Sequence, residues 1–283
     1  MIWRLMHELG GRVFLVTGAN TGIGLATAKA LARQGASVYV ASRSVEKGAA
    51  AVAAIKAASG SSSVFFLALD LADLDSVRSC AAEFLALGEP LHVLINNAGV
   101  GGARGLTRQG FELTFGINHL GHFALTTALL DQIVESAPSR VVTVASDAHY
   151  SARGIDFTAL RRPARGITGL NEYAVSKLCN VLFSAELARR VAGTGVTTYA
   201  LHPGVVASDI WRRVPWPVRP LITRRMLSVD EGALTSLYCA TSPDVADDSG
   251  LFYDNCARRA PSVVATPELA AELWRRSEEW TTV

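Results

Sequence analysis

The chain has 283 residues, 49% of them apolar and 18% charged, the balance of a globular protein with a substantial core and not of a disordered one. A net charge of +2 gives no nucleic-acid footprint. No apolar run reaches the roughly 18–20 residues that span a bilayer, and the opening MIWRLMHELGG is too short and too mixed for a signal peptide, so a cytoplasmic protein without a transmembrane segment is expected. Cys80, Cys179, Cys239 and Cys256 lie far apart with no metal-type spacing, which reads as reduced and mostly buried thiols.

In chain order, the strand candidates are 12–17, 37–41, 64–69, 91–96, 140–145, 196–201 and 251–254. They are continuously apolar, as suits strands covered on both faces. Helical patterns near 22–34, 45–58, 73–87, 110–135, 171–192 and 229–240 alternate with them. This alternation predicts an α/β fold, a doubly wound parallel sheet of about seven strands with helices on both faces. No linker or composition shift divides the chain, so 1–283 is expected to form one domain. Two stretches break the rhythm: 147–170, an insertion ahead of a helix, and 205–227, which mixes tryptophan, proline and arginine. Long irregular segments of this kind are often binding loops or lids.

After the first strand, TGANTGIG (17–24) runs directly into an alanine-rich helix. Gly18, Gly22 and Gly24 permit a tight turn and a close approach of backbone to a pyrophosphate, whose charge is favoured at a helix N-terminus. The spacing differs from G-x-G-x-x-G, and no P-loop lysine follows. The second strand ends in ASRSVEKG, which puts Arg43 and Lys47 where an adenosine ribose would lie. Basic residues there pair with a 2′-phosphate, so NADP(H) is preferred over NAD(H).

Tyr173 and Lys177 are four apart in EYAVSKLCN, about one helical turn, so phenol and ammonium leave the same face. A free tyrosine has a pKa of about 10, and a fixed neighbouring cation is expected to pull it down, giving a usable proton donor and acceptor.

With these residues in place, the chain strongly resembles the short-chain dehydrogenase/reductase superfamily, whose fold is a single Rossmann-type NAD(P)-binding domain. TGANTGIG, with Asn20, Thr21 and Ile23 beside its glycines, resembles the cofactor loop, and Asp70-Leu71 the adenine-side contact. NNAG (96–99) supplies Asn97, Ala98 and Gly99 beside the cofactor. HPGVVAS (202–208) resembles the nicotinamide-side segment, with Pro203, Gly204, Val206 and Ser208 as contacts. Asn118, Ser146, Tyr173 and Lys177 match the catalytic asparagine, serine, tyrosine and lysine. The strings INNAGV, NHLGHF, SKLCNVLF and GVTTYALHPGVV resemble the retinol dehydrogenase-like branch, as does the wide separation of Ser146 from Tyr173.

The resemblance implies an NADP(H)-dependent oxidoreductase that interconverts a hydrophobic aldehyde or ketone (retinoid, lipid aldehyde, steroid or aromatic ketone) and its alcohol. Hydride passes between nicotinamide and substrate carbon while Tyr173 exchanges a proton with the oxygen, Ser146 hydrogen-bonds that oxygen and Lys177 holds the ribose. Asn118 is expected to hold a water that links Lys177 to solvent. Many members of the branch carry a hydrophobic N-terminal anchor, and none is expected from this sequence. VGGARG (100–105) also lacks the methionines expected of retinoid-acting members. Members commonly pair through the helices here placed at 110–135 and 171–192, which implies a homodimer or homotetramer.

The substrate is expected to meet Ser146 and His149 on one side and, in the 205–227 lid, Trp211 and Trp216 on the other. The arginines of that lid leave peripheral membrane contact open, although Pro215, Pro217 and Pro220 oppose one continuous amphipathic helix. His119, His122 and His202 read as structural, and no metal site is expected. Two other readings of the same residues are a sugar-nucleotide epimerase or dehydratase and a non-enzymatic NADP-sensing module. The first needs a larger C-terminal substrate domain, and the second would show a damaged tetrad.

Overall fold

The structure, a computed structural model, describes residues 8–164, 168–205 and 227–282. Its frame is one sheet of eight strands in the order β3-β2-β1-β4-β5-β6-β7-β8. The strands are β1 (Val13–Thr17), β2 (Ser37–Ser42), β3 (Val64–Ala68), β4 (Val93–Asn96), β5 (Ser139–Val144), β6 (Val196–His202), β7 (Leu251–Asp254) and β8 (Ala257–Arg259). The first seven are parallel, and β8 returns antiparallel on β7. All seven expected strands are present. The short, exposed ARR of β8 has no apolar pattern and escapes sequence reasoning.

Continuous apolar sequence makes sense here because successive side chains enter two different cores. Phe14 and Val16 of β1 pack with Val38, Val40, Leu31, Ile55 and Leu237. Leu15 of the same strand packs on the other face with Tyr39, Leu94, Phe84, Phe123 and Phe183. The first face is covered by α1 (Gly22–Arg33), α2 (Val45–Ser59) and α8 (Val229–Thr241), the second by α3 (Leu74–Ala86), α5 (Gly121–Ala128) and α7 (Leu170–Arg190). The helix starts are written locally: Ser44 accepts from Lys47 N–H and Asp73 from Asp75 N–H.

The helix expected over 110–135 is divided. A short α4 (Leu113–Phe115) runs into a π turn at Gly116–Leu120, then α5, then α6 (Leu130–Glu135). The π turn carries Asn118, in keeping with the frequent placement of such turns at functional sites. The insertion 147–170 contains two 3₁₀ turns, Asp147–Ser151 and Ala159–Arg161.

A last helix, α9 (Pro267–Thr281), lies outside the expected elements. Its signals are nevertheless present in the sequence. Thr266 accepts from Leu269 N–H, Pro267 opens the first turn, and Ala270, Leu273, Trp274 and Ser277 form one buried stripe. That stripe lands on α5 and α7. Trp274 stacks on Phe183 at 5.8 Å and meets Phe123 edge-on at 4.9 Å, and Ser277 Oγ lies 3.1 Å from His119 Nε2. The C-terminal helix thus covers part of α5 and α7, the helices expected to pair with a second copy. Replacing Trp274 by alanine should destabilise the fold by about 3–5 kcal/mol, the usual cost of an emptied tryptophan site, measured as a lower urea midpoint. A change under about 1 kcal/mol would show that α9 is not part of the cooperative core.

Candidate active site

The sheet order reverses between β1 and β4, and open α/β sheets carry their ligand crevice outside the carboxyl ends of strands at such a point. A groove of about 600 Å³ opens there. Its floor is glycine by necessity. Gly18 has φ +66°, and a Cβ on it would stand 2.9 Å from Ala98 Cα. A Cβ on Gly24 would stand 2.5 Å from Asn97 Nδ2 and 2.7 Å from Gly18 O. Thr17 Oγ1 accepts from the N–H groups of Asn97 and Ala98, each at 2.9 Å, and Asn97 Nδ2 donates to Thr17 O at 2.7 Å. The glycine-rich turn and the NNAG segment are thus laced into one surface.

At one end of this groove lie Arg43 and Lys47, both exposed; at the other lie Tyr173 and Lys177. Lys177 is buried, donates to Val144 O at 2.9 Å, and has its pKa pushed down to about 8 by desolvation. Its Nζ stands over the Tyr173 ring, 5.6 Å from the centroid. The expectation that Lys177 lowers the tyrosine pKa needs correction. Burial raises it, a hydrogen bond with Ser146 opposes that, and the Asp147 carboxylate adds to the rise. The ammonium lies over the ring and donates one N–H to a backbone carbonyl, and it is not among the causes of the tyrosine's shift.

Ser146 caps the turn after β5: its Oγ accepts from Ala148 N–H at 3.2 Å and donates to Asp147 Oδ1 at 3.1 Å. The Asn118 side chain is engaged with protein. Oδ1 accepts from Val100 N–H at 2.8 Å, and Nδ2 donates to Val100 O and to Ser176 Oγ. It therefore fastens the segment after NNAG to the π turn.

His149 departs from the substrate-lining role expected of it. It is fully buried, Nδ1 meets Ser146 O at 2.6 Å, and Nε2 accepts from Ser262 N–H at 3.1 Å. With both nitrogens occupied it braces the backbone of Ser146 and lies outside the groove. Every described histidine (His92, His119, His122, His149 and His202) has its pKa lowered, chiefly by burial, which agrees with structural roles.

The groove gathers Gly18, Asn20, Thr21, Gly22, Ile23, Gly24, Arg43, Lys47, Asp70, Leu71, Asn97, Ala98, Gly99, Tyr173, Lys177 and Pro203. Sequence reasoning missed Ser42, Val100, Ala103, Ile117 and Val144, which also line it. Ser42 ends β2 one residue before Arg43, a position that strand alternation alone could have flagged. Gly204 sits just beyond the groove at φ +84°. Val206, Ser208, Trp211 and Trp216 lie outside the described residues. The ends of their segment meet, with Leu227 N–H donating to Val205 O at 2.9 Å. Among the described residues, no helix is long and apolar enough to cross a membrane.

A family model described as short chain dehydrogenase matches residues 12–159, which run from β1 through the 3₁₀ turn after Ser146. The chain belongs to this family. Within it, this short-chain dehydrogenase is similar to retinol dehydrogenase 12 of Mus musculus, 46% identical over 96% of this chain and 87% of the relative. It is 45% identical to dehydrogenase/reductase SDR family member 13 of Bos taurus, over 98% and 74%. These relatives put the short-chain dehydrogenase in the retinol dehydrogenase-like branch, as an oxidoreductase of a family that binds NAD(P)(H). Among solved structures, a protein described as putative and uncharacterized from Mycobacterium Paratuberculosis superposes with a TM-score of 0.79 at 35% identity, covering 98% of this chain and 96% of the other. L-Sorbose reductase from Gluconobacter frateurii, solved with NADPH and L-sorbose, has a TM-score of 0.71 at 19% identity over 92% of this chain and all of that one, a likeness of fold.

Proposed function

We propose that this short-chain dehydrogenase is an NADP(H)-dependent oxidoreductase that interconverts a hydrophobic aldehyde or ketone and its alcohol, with Tyr173 as proton donor and acceptor. The observation that carries this reading is one continuous groove, which joins the exposed cations Arg43 and Lys47 to the Tyr173–Lys177 pair across a glycine floor. The groove fits a dinucleotide because the positions where a Cβ would collide, Gly18 and Gly24, flank the start of α1, and backbone N–H groups at a helix start favour phosphate. The bound cofactor supplies the hydride chemistry.

The remaining work falls to side chains of this chain. Gly18 to Gly24 would bind pyrophosphate, Arg43 and Lys47 a 2′-phosphate, and Asp70 with Leu71 the adenine side. Lys177 would hold the nicotinamide ribose. Tyr173 would exchange its proton with the substrate oxygen, and Ser146 would hydrogen-bond that oxygen where charge develops. Apolar Val100, Ala103 and Ile117 on the groove wall, together with the name of the mouse relative, support a hydrophobic substrate such as a retinoid, lipid aldehyde, steroid or aromatic ketone.

The test follows oxidation of NADPH and of NADH with retinal, medium-chain aldehydes, steroid ketones and aromatic ketones. Turnover of one class is expected, with NADPH preferred; binding of NADPH with no turnover across the panel would favour a nucleotide-sensing protein instead. Arg43→Asp should weaken NADPH by about ten- to a hundredfold, the loss of a charge-assisted contact plus a new repulsion, while NADH changes little. Equal losses for both cofactors in a titration of nicotinamide fluorescence would remove the 2′-phosphate assignment.

A further inference from the structure

Beneath the groove floor, His122 joins two parts of the site that share no sequence neighbourhood. Its ring is buried at the start of α5, with Nδ1 3.0 Å from Asn118 O and Nε2 2.8 Å from Thr17 Oγ1. The hydrogens can be assigned from the inventory of donors and acceptors. A carbonyl only accepts, so Nδ1 carries the proton and donates to Asn118 O. Nε2 of the neutral ring is then an acceptor, and the Thr17 hydroxyl must donate to it. The other available acceptor for that hydroxyl, Ile95 O, lies farther away at 3.4 Å. The two lone pairs of Thr17 Oγ1 are left to receive the N–H groups of Asn97 and Ala98, as observed.

We propose that His122 is a positioning residue: its neutral imidazole aims the Thr17 hydroxyl so that both NNAG amides are held, and ties this groove floor to the Asn118 turn. This deepens the dinucleotide reading above and rests on it. The assignment is self-consistent: neither lone pair of Thr17 Oγ1 is used twice, and the Asn97 N–H is shared between that oxygen at 2.9 Å and Ile95 O at 3.0 Å. An imidazolium would turn a second N–H toward Thr17 Oγ1, whose lone pairs are taken. Burial keeps the ring neutral, with its pKa pushed down to about 4, and the nearby Lys177 charge acts in the same direction. The consequence reaches the cofactor surface directly. Gly18 follows Thr17, and the Ala98 backbone is what a Cβ on Gly18 would strike. A Thr17 that no longer holds Asn97 and Ala98 lets that close contact drift.

The full-length protein and three variants are titrated with NADPH by nicotinamide fluorescence. His122→Gln places an amide oxygen where Nε2 stood and keeps the Thr17 arm; His122→Asn keeps the Asn118 arm only; His122→Phe keeps neither. Wild type and Gln are expected to bind alike, with Asn and Phe about tenfold weaker, the value of one buried hydrogen bond turned into an ordering cost on binding. A merely space-filling ring would be restored better by Phe than by Gln, so that order, or equal affinity in all the variants, overturns the proposal. If the Phe variant fails to fold, the Gln–Asn comparison decides in the same way. If wild type binds no dinucleotide, the cofactor reading fails and this proposal with it; wild-type binding that persists unchanged in Phe removes this proposal alone.

Discussion

Tyr173→Phe should lower kcat by about 10²–10⁴-fold while leaving NADPH affinity within about twofold, the range expected when a general acid is lost and nothing else is disturbed. The substitution removes one hydroxyl from a half-buried ring whose neighbours stay in place. Lys177 remains anchored on Val144 O, and Ser146 remains held by Asp147 and Ala148. The ring face that Lys177 Nζ overlies is also kept, so a charge–ring contact cannot account for the loss. Steady-state rates on the best substrate of the panel, beside a fluorescence titration, separate chemistry from binding. A variant that keeps more than about a tenth of wild-type turnover would move the proton-transfer role away from Tyr173.

Acid should destabilise this protein well before its carboxylates titrate. His119 and His122 are buried and neutral, with pKa values pushed down to about 3 and about 4, chiefly by desolvation; His122 lowers His119 further, and Lys177 lowers His122 further. In the unfolded chain both return to about 6.5. Between about pH 6.5 and about pH 4 the unfolded state therefore binds protons that the native state refuses, so stability falls as pH falls. The sign is that of a depressed folded-state pKa, with stability present in full above the unfolded value. His122 alone amounts to roughly 3 kcal/mol once the window is crossed, and His119 adds a comparable amount. The two sites also break differently. Protonating His122 disrupts the Thr17 and Asn118 bonds under the groove, whereas protonating His119 charges a ring packed among Phe115, Phe123 and Phe183 and bonded to Ser277. Urea midpoints measured from neutral pH down to about pH 4 should drop steadily, and His119→Phe should flatten part of that slope. A midpoint that holds constant to about pH 4.5 would mean the two rings take up protons in the native state.

Much of the site could be read from linear patterns because the chemistry that makes it is local. Gly18, Gly22 and Gly24 are needed where backbone must turn and approach a phosphate within a few residues. Tyr173 and Lys177 share a face because one helical turn puts them there. Arg43 follows the end of β2 directly. His149 misled for the same reason in reverse. Its nearness to Ser146 in sequence suggested the pocket, but its ring turns inward to Ser146 O and to Ser262, a partner far along the chain. The Tyr173–Lys177 pair misled on electrostatics, since spacing fixes a shared face and says nothing of what else the ammonium touches. One of its N–H groups goes to Val144 O, from β5.

From periodicity and motif the chain alone establishes a parallel α/β sheet, its glycine-rich turn and the Tyr173–Lys177 face, while most other residues of the crevice come through the family resemblance. Those properties rest on repeats of one or two turns or strands, which side-chain order encodes directly. Only the folded arrangement shows that α9 covers α5 and α7, that the Asn118 side chain is engaged with Val100 and Ser176, and that His122 bridges β1 to the π turn. Each of these depends on groups distant in sequence meeting at hydrogen-bond or van der Waals range, and no local pattern carries that distance.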